Sequence, residues 1–241
     1  MLWRKFKLDW RYAVGELFIV IAGVLIALAI DQWNDVRLER QGADEILQHL
    51  LIDLQADLDG LQMMVGFVDN KQQSLLRLKS VFDSGQRPDD DAQFLQDIIV
   101  GADFGWNQNR PIDTTYREAL SSGGFGLIRD AGLRSAISRY YFEFEDLFNR
   151  ADARETRFPH LSYQLVPRTR EYSHRLVLLS TDPDLSPEEM MRLVDRALRS
   201  PLGDYVIAEI NLARFILHLS ADITQQCEAL IETIEAYRAS D

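Results

Sequence analysis

The stretch from Tyr12 to Asn34, YAVGELFIVIAGVLIALAIDQWN, constrains everything that follows it. Leu17 to Ile30 is a run of fourteen residues with no charge and no strong polar group. Extending it back to Tyr12 gives nineteen residues interrupted only by Glu16. At ~1.5 Å per residue that is roughly 28 Å of helix, the hydrocarbon thickness of a bilayer. A run of this length predicts one membrane span, over residues 12–32.

Charge around the run predicts its orientation. Residues 1–11 hold Arg4, Lys5, Lys7 and Arg11 against Asp9, a sum of +3. The whole chain carries −12, so the remainder carries −15. Asp31 to Leu47 contain only Arg37 and Arg40 among five acids. Lys and Arg are retained on the cytoplasmic side of a span, so residues 1–11 are expected inside and residues 33–241 outside, in the periplasm. Trp3, Trp10 and Trp33 suit the two interfaces. A competing reading is a cleaved signal peptide, with Ala27-Leu28-Ala29 as the cleavage site. Against it, the apolar run is long for such a peptide, and helical character continues past the site without a breaker. An acidic body argues against nucleic-acid binding, which needs a basic footprint.

The span has a patterned face. Glu16, Val20, Gly23, Ala27, Asp31 and Asn34 follow one another at steps of 3 and 4, so they share one side of a helix. Gly23 and Ala27 form a small-xxx-small pair that permits close helix approach. A carboxylate inside a span is rare and usually faces protein. Self-association through this face, with Trp33 and Asn34 at its exit, is one reading. In the other, Glu16 reaches the headgroups or pairs with Arg4 or Arg11, and Gly23 is incidental.

Beyond the span the pattern is helical throughout. Leu47, Leu51, Leu54, Leu58, Leu61, Val65 and Val68 recur in alternating steps of 4 and 3, a heptad seam on a first helix that runs on from the membrane to about Phe82. Ser84 to Asp91 reads as a loop whose aspartates lead a short helix, about Ala92 to Ala102. A second irregular segment covers 105–111. Asp113 or Thr114 caps a helix ending at Gly123-Gly124. Asp130 caps another, from Ala131 to at least Arg150, carrying Tyr140, Tyr141, Phe142 and Phe144 as core and interface. Pro159 marks a boundary or kink. A further helix is expected from Leu161 to Leu179, bent near Pro167. Ser186-Pro187-Glu188-Glu189 is a capped helix start, and Ser200-Pro201 starts the last helix. No segment alternates with period 2. The expected fold class is all-α: one N-terminal transmembrane helix continuing into an extramembrane helical bundle.

Two segments carry a resemblance. YAVGELFIVIAGVLIALAIDQWNDVR (Tyr12 to Arg37) pairs Gly-Glu with an apolar run, an inner glycine, Ile-Ala-Leu, and Trp-Asn followed by an acid and an arginine. TTYREALSSGGFGLIRDAGLRSAISRYY (Thr114 to Tyr141) has a Tyr…Leu-Ser-Ser-Gly…Leu-Ile…Leu-Arg…Tyr-Tyr pattern. Together they resemble a family of uncharacterised bacterial single-pass membrane proteins, a domain-of-unknown-function family. The resemblance implies an inner-membrane anchor and a helical outer domain, and it brings no activity. Tyr116, Ser122, Gly123 and Arg134 are the candidates for that domain's characteristic corner.

Motifs that carry chemistry are missing from the sequence. His49, His160, His174 and His218 fall in no metal-ligating spacing. Ser121 to Gly126 lacks the Gly-Lys-Ser/Thr ending of a phosphate loop. The lone cysteine, Cys227, excludes an intramolecular disulfide and reads as core. The leading expectation is a homo-oligomeric membrane interaction or scaffold module without enzymatic activity, cofactor or metal. Its expected partners are the lipid bilayer, further copies of itself and other membrane proteins. The second is an oligomeric conductor of ions or protons, or a transporter accessory, using rings of Glu16. The third is an enzyme with a polar pocket joining His160 or His174 to acids.

Overall fold

The computed structural model describes residues 10–103, 110–154, 156–173, 176–182 and 184–240. The expectations placed on Trp3, Arg4, Lys5, Lys7, Asp9, the segment 105–109 and His174 lie outside the described residues.

One helix, α1 (Trp10–Ser84), is 75 residues long, about 110 Å end to end. It contains no proline, and its glycines stand singly among good helix formers. Its buried side begins at Ala43 and continues through Leu47, Leu50, Leu54, Asp57, Leu61, Met64, Val68, Lys71, Leu75 and Leu78. Those steps alternate between 4 and 3, which holds one stripe toward a partner helix. The expected seam matches at Leu47, Leu54, Leu61 and Val68. Leu58 is buried beside Asp57, whereas Leu51 and Val65 are only half-buried. The buried stripe takes Leu50 and Met64 where the expected seam takes Leu51 and Val65, and it passes through the charged residues Asp57 and Lys71, which an apolar pattern steps around.

The partner is α7 (Leu202–Ser240), antiparallel to α1 along the length of the bundle. Gly203 lies against Phe82, Glu209 against Lys71, Cys227 against Leu54 and Arg238 against Asp44. At Gly203 the approach is close enough that a Cβ would meet the Phe82 ring at 2.9 Å.

The other elements fill this long hairpin in two storeys. Nearer the apolar end of α1 lie α3 (Thr114–Ser122), a 3-10 turn (Gly124–Leu127) and the start of α4 (Ala131–Asp152). Asp130 caps α4 by accepting from the Leu133 N–H at 2.9 Å. Along α4, Tyr140, Tyr141, Phe144 and Phe148 are buried, whereas Phe142 is 70% exposed. At the far end lie α2 (Asp91–Gly101), α5 (Phe158–Leu165) and α6 (Pro187–Leu198). Asp90 caps α2, and Ser186 with Glu189 forms the reciprocal capping box at α6.

Between α5 and α6 the chain departs from expectation. The helix expected over Leu161 to Leu179 is a short helix followed by an antiparallel hairpin, β1 (Arg168–Ser173) with β2 (Leu176–Thr181), in register Arg168 to Thr181. Pro167 cannot donate to the helix ladder and drives Val166 extended, at φ −118° and ψ 115°. The residues after it include Thr169, Tyr172, Val177, Leu178 and Leu179, and β-branched and aromatic types favour a pleated strand. The hairpin is tied to α2 where Thr181 N–H donates to Gln96 Oε1 at 3.1 Å. The class remains all-α, with this one two-stranded appendage among the described residues.

Candidate functional site

Every candidate residue of the apolar segment lies on α1 and is uncovered. Glu16, Val20, Gly23, Ala27, Asp31, Trp33 and Asn34 are all exposed. An added Cβ on Gly23 would meet nothing within 4 Å. Phe18 and Ile19 are each 73% exposed. Mean hydropathy reaches 1.9 in this part of the helix, none of which is buried. It is the one helix among the described residues long and apolar enough to cross a membrane. Trp33 carries the Arg37 guanidinium 5.9 Å from its ring centre, a cation–π contact at the end of the apolar run.

The four corner candidates come together at the near end of the bundle. Tyr116 stacks on Tyr141, with ring centres 4.6 Å apart and planes at 12°, and meets Phe125 edge-on at 5.6 Å. Ser122 Oγ accepts the Gly124 N–H at 3.3 Å. Gly123 ends α3 in the left-handed conformation, at φ 78°, where a side chain would be strained. Arg134 donates to the carbonyls of Ile128 and Arg129. This loop lies on α1 just past the uncovered segment: Leu127 approaches Gly42, Ile46 approaches Gly124, and Arg129 pairs with Glu39 at 3.2 Å. The two segments far apart in sequence are therefore neighbours.

Above the corner is a buried polar cluster that the sequence did not single out. Asp57 accepts the Ile112 N–H at 2.8 Å and the Tyr140 hydroxyl at 2.9 Å. One turn back, Asp53 accepts the Thr115 N–H at 3.4 Å. Two acids of α1 thus hold the chain entering α3. Burial pushes the Asp57 carboxyl up to about 6, because loss of water penalises its charge more than the two hydrogen bonds stabilise it. Burial raises both the Tyr140 and Tyr141 hydroxyls, with Asp57 adding to the effect. The Cys227 thiol, also pushed up by burial, to about 12, stays protonated and is no nucleophile. Beside the cluster an open cleft of about 470 Å³ is lined by Arg110, Arg117, Tyr116, Tyr141, Phe142 and Glu145, among others.

A second polar insertion lies in the far storey. Lys71 Nζ is 2.5 Å from Glu209 Oε1, and both side chains are wholly buried. Lys71 also donates to the Asp103 carbonyl at 3.0 Å, and Thr156 donates to the other Glu209 oxygen. Asp57 and Lys71 stand two heptads apart in the α1 seam. Charged residues inside an otherwise apolar heptad were the signal available in the sequence for both.

The three described histidines lie on three different helices. His49, His160 and His218 are exposed, and His218 has Asp222 at 3.7 Å on its own helix. Among the described residues no three His, Cys, Asp or Glu side chains are grouped to hold a metal ion. The model of a family of unknown function, DUF6090, matches residues 16–152. The chain belongs to this family. The DUF6090 match starts at Glu16 and ends with α4, so it takes in the uncovered apolar segment, α2, the corner and Asp57. It leaves out α5, the hairpin, α6 and α7. No curated protein and no solved structure matches the chain.

Proposed function

We propose that the protein is a single-pass inner-membrane anchor for an outer helical interaction module, and that it self-associates through the Glu16, Gly23 and Ala27 face. Residues 1–11 lie in the cytoplasm, 12–32 cross the bilayer and 33–241 form the outer domain. The observation that carries this reading is the bareness of α1 from Glu16 to Asp35. A soluble helix with Leu17 to Ile30 open on all sides would expose far more apolar surface than a monomer in water tolerates. Hydrocarbon removes that cost, and the unbroken helix then fixes the bundle to the anchor.

Self-association is the natural use of a face with two small residues and one carboxylate. Backbones approach closely at Gly23 and Ala27, and each Glu16 finds a polar neighbour on another copy. The test is mass determination of the full chain in mild detergent, beside Glu16→Leu and Gly23→Leu. The wild type is expected as a defined oligomer and Gly23→Leu as a smaller species. A wild-type monomer, or an oligomer untouched by both changes, would sink the association. Recovery in the soluble fraction without detergent would sink the anchor itself.

A further inference from the structure

α6 carries a basic stripe in an acidic protein. Arg192, Arg196 and Arg199 follow one another at steps of 4 and 3, on one side of the helix and into its C-cap, and all three are exposed. With Leu165, Asp195 and Ser200 they line an open cleft of about 550 Å³. Asp195 is the only acid in that lining, and it is already held by Arg87 at 2.6 Å, with Arg199 at 4.0 Å. Among the described residues neither Arg192 nor Arg196 has a carboxylate within ion-pair distance. The helix dipole favours cations in the last turn, which accounts for Arg196 and Arg199, while Arg192 stands one turn after Glu189, whose carboxyl is held low by its bonds to Ser186 and further by the Arg192 charge. In a chain that carries −12, this cleft gathers three arginines against one acid.

The spacing selects among anions. The three guanidiniums are rooted along roughly 10 Å of helix, longer than one phosphate or sulfate can bridge. Carboxylates on successive turns of a helix, or on alternate residues of an extended segment, repeat at roughly 5–7 Å and match it. Guanidinium pairs with carboxylate through two parallel hydrogen bonds, which adds geometric selectivity to charge. Leu165 at the base offers an apolar contact for the stems. We propose that this cleft docks an acidic peptide segment, rich in Asp or Glu, of a partner protein. It lies at the end of the bundle away from the apolar segment and outside the family match, so it stands independently of the anchor.

The test uses the full chain in an uncharged detergent with a fluorescent hexaglutamate peptide at low ionic strength, read by anisotropy. Wild type is expected to bind, and to weaken as sodium chloride rises. The triple variant Arg192→Gln, Arg196→Gln, Arg199→Gln is expected to lose at least tenfold. Arg196→Gln alone is expected to lose about threefold, which keeps the test alive if the triple variant does not fold. Arg139→Gln, an exposed arginine on α4, is expected to change nothing. Absent binding by wild type, equal binding by the Arg196 and triple variants, or displacement of the probe by inorganic phosphate beyond the effect of matched sodium chloride would each overturn the proposal.

Discussion

Asp57 is the residue whose protonation the fold should report. Its carboxyl titrates at about 6 when folded and at an ordinary carboxylate value when unfolded, so the native state holds the proton more tightly. The sign follows: stability rises as pH falls from 7.5 through 6 and levels off near 4. The groups facing it are Asp53, Asp113, Tyr140, Tyr141 and Cys227. The tyrosines and the thiol remain protonated throughout that window. Asp44 is shifted the opposite way by its bond to Arg238, as is Glu189 by its bonds to Ser186, and their contributions fade only at lower pH. Thermal melts at pH 7.5, 6.5 and 5.5 are expected to climb for wild type and to flatten for Asp57→Asn. A wild-type melt that falls over the same range refutes the assignment. Lys71 and Glu209 make a second case at this scale. Removing one partner strands a buried charge, so Glu209→Gln is expected to cost about 3–5 kcal/mol in denaturant unfolding. Replacing both, as Lys71→Met with Glu209→Leu, is expected to recover most of that loss. A double variant no better than the single would mean that Thr156 and the Asp103 carbonyl carry the site instead.

At the scale of elements, caps and breakers were the most legible part of the sequence. Asp130 and Ser186 cap the helices their positions predict and one of the aspartates before α2, Asp90, caps it; Asp113 precedes α3 without a side-chain cap bond, and Gly123 ends α3 in the left-handed conformation expected of a C-terminal glycine. Such signals are local, so one sequence suffices to read them. Gly123→Ala is accordingly expected to lower stability by about 1 kcal/mol, through strain at positive φ. An unchanged melt would show that the corner relaxes freely. The hairpin was illegible for the opposite reason. Arg168 to Thr181 does not alternate apolar with polar, and its docking depends on Gln96 of α2, a partner more than eighty residues away. The polar cluster left one trace only: Asp57, one of 38 acids, stands inside an apolar heptad, but the groups that close over it, Ile112 and Tyr140, lie more than fifty residues away. The corner candidates were found together because Thr114 to Tyr141 is contiguous. Their neighbourhood with the apolar segment required the fold.

For the whole molecule, the uncovered segment and the bundle are separable. The first core residue of α1 is Ala43, and the side chains of residues 16–30 are almost all exposed, so the bundle does not pack against them. A chain beginning at Gln32 is expected to be soluble without detergent and to melt within a few degrees of the full protein in micelles, by far-UV circular dichroism and size exclusion. Aggregation of that shorter chain would mean that the apolar segment is part of the fold. α1 itself has a mechanical consequence. From Ile30 to Ser84 it extends roughly 80 Å as one unbroken helix with no proline. With its apolar end in a bilayer it is a lever whose fulcrum is the lipid. A span changes its tilt by several degrees to match local hydrocarbon thickness. Ten degrees at the fulcrum sweeps the tip of the bundle sideways by roughly 14 Å, so under the proposed anchoring the thickness of the surrounding membrane would set how far the far storey leans.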